Sequence, residues 1–113
     1  MNNRVFMTQR PMYRDRATGE FVDKFDLEPA EKFGPIIEVL PPGNIKIRPD
    51  TIEQIHRNMD DFSDQDYLLN VGDPLAMAAV ACIASQRTGG VLRVLRWCRF
   101  SGAYTPVVMD LNG

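Results

Sequence analysis

The stretch from Asp66 to Asp110 limits the fold of this chain more than any other. Tyr67-Leu68-Leu69-Asn70-Val71 is a short run, apolar except for Asn70, of the kind that forms a strand covered on both faces. Gly72-Asp73-Pro74 then supplies a turn glycine, a helix-capping carboxylate and a proline suited to the first helical position. Leu75 to Ala84 follows, apolar almost all round, which predicts a helix buried at the centre of the molecule. Gly89-Gly90 breaks that helix, and Val91 to Arg99 reads as a strand parallel to Tyr67–Val71 through a right-handed crossover. Ser101-Gly102-Ala103 turns the chain into Tyr104–Leu111, an antiparallel strand at a sheet edge, where Pro106 is tolerable.

The first half adds smaller elements. Arg4–Gln9 has the β-branched and aromatic content of a first strand, stopped by Pro11. Met12–Asp15 and Glu20–Phe25 flank a turn closed by Gly19 and predict a hairpin arm over residues 12–25. Asp26 to Gly34 describes one or two helical turns, and Pro35–Leu40 a further core strand ended by Pro41-Pro42-Gly43. Asn44–Pro49 is a connector. Asp50 and Glu53 form a capping-box pattern ahead of a helix whose Ile52, Ile55, Met59 and Phe62 share one face.

A chain of 113 residues is long enough for one core and too short for two, so a single α/β domain over residues 1–113 is expected. Strands alternating with helices predict three layers: a mixed, mainly parallel sheet of four or five strands with helices on both faces, flavodoxin-like or Rossmann-like. With 44% hydrophobic and 25% charged residues the composition is that of a globular protein. The longest uncharged run, Pro74 to Gln86, is too short to span a bilayer, so no membrane association is expected. The N-terminal segment lacks the apolar stretch of a secretory signal, and a cytoplasmic location is expected. Cys82 and Cys98 match neither a redox pair nor a zinc site and are read as buried free thiols.

No residue set assembles a catalytic centre, and the chain is read as a non-enzyme without cofactor or metal. His56, the sole histidine, stands on the margin of an apolar helix face without a nucleophile placed beside it by sequence. Asp60 to Asp66 lacks the glycine and terminal glutamate of a calcium loop. Two places remain as candidates. Gly72-Asp73-Pro74, at the carboxyl end of a strand, is where open α/β sheets bind ligands. With Asn70 and the first strand's Thr8, Gln9 and Arg10, it makes a small-ligand or nucleotide site, Arg10 offsetting Asp73. One glycine and a carboxylate at the helix terminus suit hydroxyl or amine donors better than phosphate, and the plain reading is a strand-to-helix junction. The second candidate is Arg93, Arg96, Trp97, Arg99 and Tyr104, cations interleaved with aromatics that could contact a protein or stack on nucleic-acid bases. Alternation sends Arg93 and Arg96 to opposite faces, and Arg93, Trp97 and Arg99 to one. Residues 49–73 carry seven acids against Arg57 alone, whereas residues 85–113 carry four arginines against Asp110. Such faces suit self-association or a charged partner.

Arg4 to Pro11, Phe25-Asp26-Leu27, Asp66-Tyr67-Leu68-Leu69 through Gly72-Asp73-Pro74, and Leu95-Arg96-Trp97 with Tyr104-Thr105-Pro106-Val107 together resemble the small, uncharacterised α/β proteins encoded by tailed bacteriophages. The resemblance transfers no functional residue. It implies a short phage-encoded protein made in the bacterial cytoplasm, an accessory factor that binds a host or phage protein and acts by protein–protein interaction, with a homo-oligomer as one form.

Overall fold

The computed structural model describes residues 3–113. Its main sheet is built from β1 (Val5–Gln9), β4 (Ile36–Leu40), β5 (Tyr67–Leu69), β6 (Val91–Cys98) and β7 (Ala103–Asp110), in the order β4-β1-β5-β6-β7. All neighbours pair in parallel except β6 and β7, which are antiparallel from Val91↔Asp110 to Cys98↔Ala103. Numbered within this sheet alone, the order is 2-1-3-4-5, that of the flavodoxin-like doubly wound fold with its last strand reversed. A separate two-stranded sheet, β2 (Met12–Arg14) with β3 (Phe21–Asp23), forms the expected hairpin, with Tyr13 and Phe21 exposed on it.

Helices lie on both faces, but unequally. On one face α2 (Pro49–Asn58) and α3 (Pro74–Arg87) bury Phe6, Val39, Leu68 and Leu92 of the sheet beneath Ile55, Met59, Val80 and Ile83. Phe6 meets Phe62 edge-on at 5.1 Å between ring centroids, a geometry that aromatic quadrupoles favour. The opposite face carries only α1 (Glu28–Glu31), whose Ala30 and preceding Leu27 cover Val5, Met7, Leu69 and Leu95. One helical turn cannot span five strands.

Three local expectations are corrected. The α2 helix starts at Pro49 after Arg48, and Thr51 Oγ1 accepts from the Arg48 N–H at 3.3 Å, so Asp50 lies in the first turn instead of capping it. Proline at the first position presets the backbone there and fixes the start two residues early. The α3 helix is not central: Ala76, Val80, Ile83 and Ala84 face the sheet, while Leu75, Ala78 and Cys82 point outward and are exposed. Each face of the sheet holds one helical layer, so nothing further covers the outer side of α3. The thiols follow the same geometry: Cys82 is exposed on that outer side and Cys98 is half-buried at the end of β6. No helix among the described residues is long and apolar enough to cross a membrane.

Candidate functional site

The strand order reverses between β1 and β5, and this is where doubly wound sheets open a crevice at the carboxyl ends of their strands. Here Gln9 fills it. Its side chain is buried; Nε2 donates to the carbonyls of Pro41 at 2.9 Å and Gly43 at 3.0 Å, while Oε1 accepts from the Asp73 N–H at 2.7 Å. The amide thereby ties together the loops after β4 and β5. Gly72 is required beside it, because its φ is +117° and a Cβ there would stand 2.6 Å from Gln9 Oε1. Asp73 Oδ1 accepts from the Leu75 and Ala76 N–H groups, the cap expected from sequence. Thr8 Oγ1 donates to Asn70 Oδ1 at 2.9 Å. Thr8, Gln9, Asn70, Gly72 and Asp73 are thus brought together, with the Gln9 amide and the Thr8 hydroxyl taken up by protein partners.

Arg10 goes elsewhere. Its guanidinium binds Asp23 on the hairpin at 2.6 Å and lies 3.7 Å from Glu38 on β4, so it counters these carboxylates instead of Asp73. The hydrogen bond from Arg10 holds the Asp23 carboxyl below its ordinary range.

Open space lies on the thinly covered face, one strand away. A cavity of about 560 Å³ sits between the α1 segment and the carboxyl ends of β5 and β6. Its floor is Leu69, Val71, Leu95, Trp97 and Tyr104, and its rim is Phe25, Asp26, Pro29 and Gly102. Trp97 and Tyr104 face each other across the β6–β7 ladder, ring centroids 5.0 Å apart at 64°. Phe25 is 56% exposed and Trp97 48% exposed, both at the margin of this space. Burial pushes the Tyr104 phenol above its ordinary value. Sequence reasoning placed Asn70, Trp97 and Tyr104 in candidate sites and missed the cavity that joins them. A signal existed: Leu69, Val71, Leu95 and Trp97 fall at alternate positions on one face of their strands, opposite a helix segment of only four residues.

The arginines of the second candidate are dispersed. Arg93 shares the cavity face but lies over the Tyr67 ring at 4.1 Å and donates to the Gln65 carbonyl, which leaves its Nε buried against the ring. Arg96 is exposed on the α3 side. Arg99 lies in the turn beyond β6, 5.5 Å from the centroid of the exposed Phe100 ring. Cys98, at the end of the same strand, has its thiol lowered, first by a hydrogen bond from Ser101 and then by backbone N–H groups of Ser101 and Phe100.

The acidic segment after α2 is partly structural. Asp66, 2% exposed, accepts from the Arg4 backbone N–H and guanidinium and from the Ser63 N–H, while Arg4 also binds Asp61 at 2.7 Å. This fastens the start of β1 to the loop before β5. The Arg4 hydrogen bond lowers the Asp61 carboxyl. His56 is exposed beside Arg57, Asp60 and Arg87.

The sheet has two edges, the five-residue β4 and the longer, more exposed β7. Leu111 N–H donates to Gly90 O in the same ladder, so alternation turns the N–H groups of Thr105, Val107 and Met109 toward β6 and those of Tyr104, Val108 and Asp110 outward. Pro106 falls in the outward set, where its missing donor breaks no β6 bond. Val107, Val108, Met109 and Leu111 are all exposed.

No curated protein and no solved structure matches the chain. The family described as Phage Pam3 gp32-like protein matches residues 3–111, nearly the full length, and the chain belongs to that family.

Proposed function

We propose that this protein is a phage-encoded accessory factor without catalytic activity of its own, working in the cytoplasm of the infected bacterium by holding another host or phage protein at its β7 edge. One observation carries the reading: an eight-residue strand that pairs on one side only and exposes Val107, Val108 and Met109. A free edge with outward N–H and C=O groups accepts an extended segment as an added strand, backbone bonds giving affinity and flanking side chains selectivity. Pro106 removes one donor from the middle of this edge, a device that discourages indiscriminate pairing. The stretch from Val107 to Asp110 is left for a chosen partner. A second copy of the chain is the alternative occupant, through the same strand.

The test is affinity capture from phage-infected cells with the parent chain and the Val108→Lys and Met109→Lys variants, alongside sedimentation of each purified protein. The reading expects a protein retained by the parent and lost from both variants, whose circular dichroism is unchanged. Capture that both variants leave intact would move the contact away from β7. A concentration-dependent dimer broken by either variant assigns the edge to self-association.

A further inference from the structure

The geometry points to a second site, a receptor for an uncharged, planar heteroaromatic molecule of purine-base or nucleoside size, in the cavity between the α1 segment and the carboxyl ends of β5 and β6. The cavity volume of about 560 Å³ falls within the range of roughly 300–1,000 Å³ typical of small-molecule sites. Its apolar floor runs into two half-exposed rings, Phe25 and Trp97, which come from different segments and border the same opening. Aromatic walls of this kind favour a flat π-system over an aliphatic chain, because stacking adds to the burial of apolar area.

A polar group at the rim then selects the edge of that ring system. Asn70 sits between Leu69 and Val71, and its side chain turns to the other face of the sheet, where Oδ1 accepts from the Thr8 hydroxyl, so it supplies no side-chain donor here. At the rim, Asp26 uses Oδ1 to accept from the Glu28 N–H, and its second oxygen stays available for an exocyclic amine. An acceptor at the rim favours a heteroaromatic edge that carries an amine donor. Asp26, Glu28 and Glu31 stand together beside the rim, and Arg10, the nearest guanidinium, is engaged by Asp23 and Glu38. Lys24 is the other cation beside them, so an attached phosphate would meet three carboxylates against one ammonium, which favours the base or nucleoside over the nucleotide.

Trp97 is the sole tryptophan of the chain, so its fluorescence reports on this cavity directly. Adenine, adenosine and adenosine monophosphate are titrated into the full chain, with excitation at the red edge of indole absorption and ligand-observed NMR in parallel. The expected result is a saturable change with adenine and adenosine and a weaker one with the monophosphate. Phe25→Ala lowers adenosine affinity about tenfold, the loss of one stacking partner. Because Phe25 is exposed, that variant keeps its fold, and Asp26→Asn gives an independent check that removes only the charge. Three outcomes overturn the proposal: no response to either uncharged purine up to its solubility limit, a response that Phe25→Ala leaves unchanged, or tighter binding of the monophosphate than of adenosine.

Discussion

The two crevices at the carboxyl ends of the parallel strands differ in what occupies them. Between β1 and β5, where the fold by itself would place a ligand, the Gln9 amide makes three hydrogen bonds and fills the gap. One strand further, between β5 and β6, the apolar floor stays open because the segment above it forms only one helical turn. Position at a strand end therefore does not create a site. A side chain long enough to reach across, with carbonyls and an amide N–H spaced to receive it, closes the first; a helix too short to cover its face leaves the second.

The largest effect is expected at Gly72. Gly72→Ala forces an L-residue to φ +117° and drives its Cβ against Gln9, and should cost about 3 kcal/mol in chemical denaturation. Gln9→Ala should cost about 2 kcal/mol by leaving the Asp73 N–H and two carbonyls without their partner. The double variant sharpens the comparison: removing Gln9 also removes the clash, so the combined cost should fall below the sum of the two. Additive costs would mean that Gln9 does not occupy the space beside Gly72.

Acid should act on the contacts that tether the periphery. Arg10 and Arg4 hold the Asp23 and Asp61 carboxyls below their ordinary value of 3.8. A carboxyl depressed in the folded state stabilises folding at pH above that value and loses the contribution as pH falls through the lower folded one. Both groups are well exposed and screened, so their joint loss should stay under about 1 kcal/mol between about pH 5 and pH 2. Melting curves of the parent and Arg10→Gln, compared over that interval, should converge toward acid. The smallest effect belongs to the open cavity: Phe25→Ala should change stability by less than about 0.5 kcal/mol, since the ring is largely solvated.

Much of this was legible in the residues. Asp73 and Pro74 start α3 as their chemistry dictates, Gly89-Gly90 ends it, and Pro106 marks the edge strand. The family match bears out the phage resemblance. The periodicity of α3 misled, because alanines and a cysteine on the outer side read as buried, and a helix with no polar stripe does not disclose which side meets the sheet. Thr8, Gln9 and Asn70 are legible as neighbours at strand ends, but the bonds that occupy Gln9 depend on loop geometry after Leu40 that no local pattern encodes. The cavity was hidden for a related reason: it arises from the shortness of α1, and a missing cover leaves only the faint signal of an apolar face facing too few residues.

Residue-resolved amide hydrogen exchange on the isolated chain tests most directly the contrast between a sealed crevice and an open edge. The Asp73 N–H, held by buried Gln9, should exchange only with global unfolding, while the outward Val108 and Asp110 N–H groups of β7 should exchange orders of magnitude faster, near unprotected rates. Rapid exchange at Asp73, or protection of Val108 and Asp110 matching that of the central strands, would contradict the account.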